Sequence, residues 1–328
     1  MRLLCLALAI LAAPASAQLS GTYTIGGTSP DYATLQAAAD DVMGVGVSGD
    51  AIFQIRPGTY DAGIVLIGEI AGVSETSRVR FEAEDPNNRP TLRRPGATLS
   101  GNYVVYIGER VKWVTFKNLD FVAAAPSPVG RMFAFDTDVS VPPAYITIRG
   151  CTLAGHPSAG SDEGALIWES ASPVPHLVLD QNTFIQGWAA VHTTIQGGSF
   201  SGAPSVGGTY TNNTFIGQSM FGLQTAGNHL IADNTFEDAA TTSASYTAIE
   251  MGTSSVEIFR NTITLQRGKK GIRMGDTAGY SPNLTNNLIS ITTPDAEHGI
   301  LIAGDIGIVK HNTVRMEDGP AITSTWDA

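Results

Sequence analysis

Cysteine is nearly absent from this chain: it has two, Cys5 and Cys151. Cys5 lies in an N-terminal segment made of Arg2, an apolar run from Leu3 to Ala13, and Ala15-Ser16-Ala17. That layout is the layout of a secretory signal peptide, and Cys5 sits too early in it for a lipoprotein cleavage site. With residues 1–17 removed, Cys151 stands alone, so no internal disulfide is possible even in an oxidising compartment. Stability has to come from burial. Basic residues are scarce as well: 19 Lys and Arg face 30 Asp and Glu, a net charge of −11, which argues against nucleic acid as a partner. No later segment is long and apolar enough to span a bilayer, and the N-terminal run is itself too short. The expected location is outside the cytoplasm: extracellular, at the cell surface, or periplasmic. His156, His176, His229 and His311 are scattered without metal-ligand spacing and read as surface or turn residues. No phosphate-binding glycine loop is present. No cofactor is indicated, and calcium, which would need clustered carboxylates, has no motif here.

What the chain does have is a repeat. Asn182-Thr183-Phe184 recurs as Asn213-Thr214-Phe215, Asn234-Thr235-Phe236, Asn261-Thr262-Ile263 and Asn312-Thr313-Val314, with Asn287-Leu288-Ile289 as a variant. Leu119-Asp120-Phe121 and Cys151-Thr152-Leu153 fit the same frame, and the steps between first positions are 32, 31, 31, 21, 27, 26 and 25 residues. Intervals of this size mean a solenoid. Stretches with a 3.6-residue period are almost missing, whereas strand-like alternation and turn residues (36 Gly, 17 Pro) are plentiful. The pattern therefore predicts an all-β fold, a single-stranded right-handed parallel β-helix, in which uneven spacing is absorbed by loops.

Alternation assigns each position of the triplet. The third residue points inward, so Phe121, Leu153, Phe184, Phe215, Phe236, Ile263, Ile289 and Val314 form one buried column. The middle residue faces out, where β-branched, polar Thr is suited. The first residue turns inward, and Asn182, Asn213, Asn234, Asn261, Asn287 and Asn312 are expected to form a structural ladder in which each amide bonds to the next coil. Cys151 occupies the same column and is read as a small core residue. A second parallel Thr rank, as an ice-binding face would need, is missing.

The N-terminal part differs. Ser29-Pro30-Asp31 followed by Tyr32, Leu35, Ala39, Val42 and Met43 predicts a capped amphipathic helix with Ser29 at the N-cap and Pro30 at the first position. Residues 18–50 are expected to cap the solenoid, and residues 51–328 to form the β-helix, beginning with a strand from Ala51 to Arg56. The stack stops partway through a coil after Asn312. A continuation of the chain or a partner chain is expected at that open C-terminal end, the β-helix being truncated or uncapped there.

YTIGGTSPDYATLQAAADDV (Tyr23–Val42) and IFQIRPGTYDAGIVL (Ile52–Leu66) resemble the opening of pectin-lyase-fold proteins, in particular secreted bacterial surface β-helix proteins. The resemblance implies the fold, together with a choice among lyases, hydrolases, esterases and binding proteins. Pectin methylesterase motifs that supply catalytic aspartates are missing; Gly58-Thr59-Tyr60 is followed by Asp61-Ala62 where those enzymes place Glu. Of the polygalacturonase motifs only Glu297-His298-Gly299-Ile300 is an echo, and the facing carboxylates are missing. Lyases of the alginate and chondroitin type use Lys and Arg on neighbouring coils, which draws notice to Arg267, Lys269, Lys270 and Arg273. Aligning the strands after each loop puts His192, Gln224, Glu250, Arg273 and Leu301 in one outward column, with Lys270 beside His298.

Two functions follow. In one, the chain is a secreted module that binds polysaccharide or cell-surface glycan in adhesion or recognition, with Arg267, Lys269, Gln224 and His192 contacting the sugar. In the other it is a lyase on acidic polysaccharide: Arg273 or Lys270 neutralises a uronate carboxylate, Lys270 or His298 takes the proton, and Glu250 completes the set. A third reading needs no ligand, with Glu250–Arg273 a surface pair and Arg267–Lys270 a solvated loop. Trp168, Trp188 and Tyr246 are read as core or loop packing ahead of sugar stacking. The loops Ala154–Ser172 and Gly197–Gly208 are long enough to wall a groove.

Overall fold

The structure, a computed structural model, describes residues 17–325 except 62, 96–100, 125–129, 158–159, 195–205, 240–241, 253–254, 277–280, 304–306, 318 and 320. The signal peptide expected at 1–17, save Ala17, and the loop from Gly197 as far as residue 205 lie outside the described residues.

The chain is a right-handed parallel β-solenoid whose strands stack into three sheets of eleven, ten and ten strands. A coil contributes one short strand to each sheet in turn; Thr147–Arg149, Thr152–Ala154 and Ile167–Glu169 make up one such coil. Strands pair in parallel with their counterparts one coil away, mostly residue for residue: Thr152 lies beside Thr183, Leu153 beside Phe184, and Phe215 beside Phe236, with register shifts in three of the pairs. Like therefore stacks on like. Phe184, Phe215 and Phe236 are fully buried with ring centroids 4.9 and 4.5 Å apart. Phe53, Phe81 and Phe116 form a second stacked column, at 5.0 and 5.6 Å, inside the eleven-stranded sheet. Each such ring, taken out of water, stabilises the fold by about 1.5–3 kcal/mol. Val314, the last member of its column, is only half-buried.

The corner before each triplet is made by one residue in the left-handed region. Asn118, Gln181, Asn212, Asp233, Arg260, Asn286 and His311 have φ between 53 and 58°, and Gly150 has φ 63°. Asn, Asp and His are the side chains most often found in this conformation; Gln and Arg adopt it against a steric cost at Cβ. The next residue swings inward, and there the ladder forms. From Asn213 onward each Asn Oδ1 accepts two hydrogen bonds from the previous coil, one from backbone N–H and one from Nδ2. The distances are 3.0 and 3.0 Å for Asn182 to Asn213, 2.9 and 3.0 Å for Asn213 to Asn234, and 3.0 and 3.0 Å for Asn234 to Asn261. The run goes on through Asn287 to Asn312. The second Nδ2 hydrogen donates to a main-chain carbonyl of the preceding coil, as from Asn182 to Ile148 at 2.8 Å. Cys151 continues the column with its N–H on Asn182 Oδ1 at 2.9 Å, and its free thiol is buried and pushed up to about 12 by desolvation.

The N-terminal helix does not begin where Ser29 and Pro30 would start it. It spans Leu35–Val45, and Thr34 is the N-cap, accepting from the Ala37 N–H at 3.1 Å. The reason lies in Asp31, whose Oδ2 accepts from Thr24 N and Oγ1 at 2.7 and 2.8 Å. Those bonds, with Tyr32 N donating to Thr24 O, fold residues 29–32 back on the first strand, Leu19–Ile25. The helix buries Leu35, Ala38, Ala39 and Val42. The following strand, Val47–Ile55, starts four residues ahead of the expected Ala51 because Val47 already pairs with Leu19.

Candidate functional site

One ten-stranded sheet presents to the outside a single column fixed by strand register. It runs Val65, Tyr106, Ala134, Trp168, His192, Gln224, Glu250, Arg273, Leu301. The residues that the sequence places together, from His192 to Leu301, are thus the C-terminal half of a longer column, and Lys270 does lie beside His298.

In that half the structure brings cations and carboxylates together in pairs. Arg273 donates to Glu250, whose carboxyl is raised by burial against the pull of Arg273. Lys270 Nζ is 3.1 Å from Glu297 and Lys269 Nζ 3.8 Å from Asp295. Arg267 and its loop are pinned by Asp238, whose Oδ2 accepts from three successive N–H groups, those of Gln266, Arg267 and Gly268. Lys269, Lys270 and Arg273 are thus each paired with a carboxylate, while the Arg267 Nε donates to Thr242 O at 3.2 Å. His192 is turned to Gln224, Nδ1 to Oε1 2.7 Å, and lies edge-on to Trp188 with little of it exposed. Burial lowers the pKa of both His192 and His298, which disfavours their charged forms.

The N-terminal half of the column builds a groove of about 320 Å³. Its floor is Ala134, flanked along the column by Tyr106 and Trp168. Strands lie ~4.8 Å apart, so one methyl group between two large rings leaves a gap about two strand spacings wide. Tyr103 extends the aromatic wall, its ring 5.2 Å from that of Tyr106. Across the groove the Arg131 guanidinium lies 3.8 Å over the Trp168 ring and 3.6 Å from Asp162, and desolvation lowers its pKa. Asn102 ties this wall together, accepting from Arg131 N and donating to Glu163 O. Asp136 accepts from the Tyr106 hydroxyl at 3.0 Å and from Ser170 at 3.4 Å. Burial, then that bond, push Tyr106 up to about 12, so its hydroxyl stays protonated. Among the described residues Arg131 Nε and Trp168 Nε1 are buried donors without a protein partner.

Such a surface suits a ligand that offers both an apolar ring face and hydroxyls: flat aromatic rings, a weakly hydrated cation, and a carboxylate held by two hydroxyl donors. Among the described residues no group of three or more His, Cys, Asp or Glu could hold a metal ion, and no helix is long and apolar enough to cross a membrane.

Sequence reasoning missed Tyr103, Tyr106, Arg131 and Asp136, and set Trp168 aside as packing. The signal was present: carrying the outward column upward past His192 reaches Trp168, Ala134 and Tyr106. Trp188 packs against Phe221 and His192, and Tyr246 is fully buried. His229, expected at the surface or in a turn, is buried, because its Nδ1 accepts from Gly208 N and its Nε2 donates to Ala226 O.

No family model matches the chain, and no curated protein does. Among solved structures the chain is similar to a mannuronic acid specific polysaccharide family 6 lyase from human gut microbiota, at 14% identity and TM-score 0.45, over 92% of this chain and 76% of that one. It is also similar to PfbA, a surface adhesin of Streptococcus pneumoniae, at 14% identity and TM-score 0.41, over 88% and 89% of the two chains. A third is the pectin methylesterase of Aspergillus niger, at 12% identity and TM-score 0.36, over 86% and 88%. The structural neighbours are β-helix proteins of the pectin- and polysaccharide-lyase-like kind, and this chain's own strand pairing establishes the parallel β-solenoid.

Proposed function

We propose that this chain is an exported glycan-binding module that takes a segment of polysaccharide into the groove between Tyr106 and Trp168. The observation that carries the reading is the groove itself: two outward rings separated by Ala134, with Arg131 over one and Asp136 on the other. A rigid parallel sheet behind these side chains holds them in place before ligand arrives, which lowers the ordering cost of binding. The proposed setting is the cell surface or the extracellular space.

The lyase alternative has less support, since Lys270 and Arg273 each engage a carboxylate and Tyr106 is held protonated. Calorimetry against a panel of neutral and uronate oligosaccharides tests the proposal. Binding that Trp168→Ala abolishes supports it; no binding to any member overturns it. The same panel, followed by the ultraviolet absorbance of unsaturated uronates, revives the lyase reading if absorbance grows and is lost in Lys270→Ala.

A further inference from the structure

Directly beneath the groove lies a carboxyl group that no cation pairs with among the described residues. Glu169 sits between Trp168 and Ser170, two groove residues, but points the other way, into the solenoid, where it is fully buried. Its Oε1 accepts from Val174 N–H at 2.8 Å and its Oε2 from Thr193 Oγ1 at 2.5 Å. Thr193 lies 2.9 Å from Thr225 Oγ1, which in turn lies 3.3 Å from His229 Nε2. The remaining titratable group that acts on Glu169 is Tyr210, on the strand Val206–Thr211. Among the described residues the interior here therefore offers hydroxyls, a neutral imidazole and a phenol, and no positive charge.

What Glu169 holds is the turn from Ser170 to Val174. From above, that turn is stitched to the one carrying Asp136: Ser170 Oγ accepts from Thr137 N and Asp138 N at 2.8 and 3.0 Å, and Thr137 Oγ1 accepts from Ala171 N and Ser172 N at 2.9 and 3.0 Å. From below, the Val174 N–H ties its far end to Glu169, while Val174 O accepts from Leu177 N at 3.3 Å.

We propose that Glu169 is a positioning residue for the groove: it clamps the Ser170–Val174 turn from inside the solenoid, and clamps it more firmly when ionised than when protonated. The inference rests on reading the groove as the ligand site. Its physical basis is that an anion with two donors and no cation makes both bonds charge-assisted, and such bonds are shorter and roughly twice as strong as neutral ones. The protonated acid loses that gain. Its O–H would donate to Thr193, Thr193 to Thr225 and Thr225 to Ala226 O, reversing the direction of a hydroxyl chain whose oxygens already stand within reach. Both states are satisfied, so the interior can switch without unfolding. Desolvation raises the carboxyl to about 7, which puts the switch at neutrality.

The test uses the ligand-free protein first. In amide NMR spectra recorded from acid to alkaline pH, the Val174 N–H resonance should move with a midpoint near 7 in the wild type. It should stay flat in Glu169→Gln, which keeps the shape and cannot ionise. Thr193→Val, which removes a donor to the anion, should move the midpoint to higher pH. A Val174 resonance that does not titrate, or that titrates equally in Glu169→Gln, overturns the inference. With a bound oligosaccharide, the wild type should bind severalfold tighter above the midpoint than below it, and Glu169→Gln should show no such step; identical pH profiles overturn the coupling to the groove. Failure of every sugar to bind counts against the groove as a glycan site, whereas the amide titration decides the part played by Glu169.

Discussion

Asn213 Oδ1 accepts both the backbone N–H and the Nδ2 of Asn182, each at 3.0 Å, while Asn213 itself donates to Asn234 one coil further on. One oxygen thus satisfies two buried donors, and both lose their partner if it is removed. Asn213→Ala is expected to destabilise by about 3 kcal/mol or more, the sum of two orphaned buried groups. Asn312→Ala, which removes a rung that is itself half-exposed, should cost markedly less. Urea unfolding of the two variants checks the contrast, and equal losses would show that the ladder is not a buried network.

Gln181 precedes Asn182 with φ 58°, in a column whose neighbours at the same corner are Gly150 and Asn212. A left-handed Gln is strained where Asn is tolerated, by roughly 1 kcal/mol. Gln181→Asn should therefore raise the melting temperature by a few degrees without altering any ladder bond. Circular dichroism melts check this, and a lowered melting temperature would mean that the Gln side chain makes a compensating contact.

The repeat was legible because a solenoid writes the same physical demand many times. An inward amide after a corner, an outward Thr and an inward Phe recur at every coil, so Asn182, Asn213 and Asn234 announce one another. The corner residue did not announce itself, since Asn118, Gln181, Arg260 and His311 share a backbone conformation and no side-chain chemistry. The helix start was misplaced for a similar reason: Ser29-Pro30 has the local signal of a cap, but Asp31 is taken by Thr24, a contact with a strand formed earlier in the chain. The outward column was read only where polar residues stood in it. Ala134 carries no chemical signal, yet as the gap between Tyr106 and Trp168 it makes the groove. Glu169 was invisible too, because alternation alone says that it faces inward and gives no reason for a carboxylate to be there.

The two halves of the outward column make opposite predictions for a sugar ligand. If the groove is the site, Trp168→Ala should weaken binding roughly tenfold or more, as loss of a buried aromatic anchor does. Lys270→Ala and Arg273→Ala should change it by less than about twofold, because each cation already spends its charge on a partly exposed carboxylate. Calorimetry on the same oligosaccharide measures all three. The reverse order would move the site to the basic half and restore the residues first singled out by sequence.

Two buried groups should shape the dependence of stability on pH, with opposite signs. Glu169 has its carboxyl raised from 4.5 to about 7 by desolvation, so its contribution is fully present below 4.5 and lost as pH rises through 7. His229 is lowered from 6.5 to about 4, again by burial, so its contribution is present above 6.5 and lost as pH falls through 4. Between 4.5 and 6.5 the two slopes oppose each other, and above 6.5 only the decline from Glu169 remains. Replacing Glu169 with Gln should remove that decline, a change on the order of 3 kcal/mol between acid and alkaline limits, and uncover a stability that rises with pH through the histidine range. Urea midpoints measured across this interval decide it. If Glu169→Gln falls above neutrality as steeply as the wild type, the alkaline loss originates elsewhere and the carboxyl is not the group that titrates.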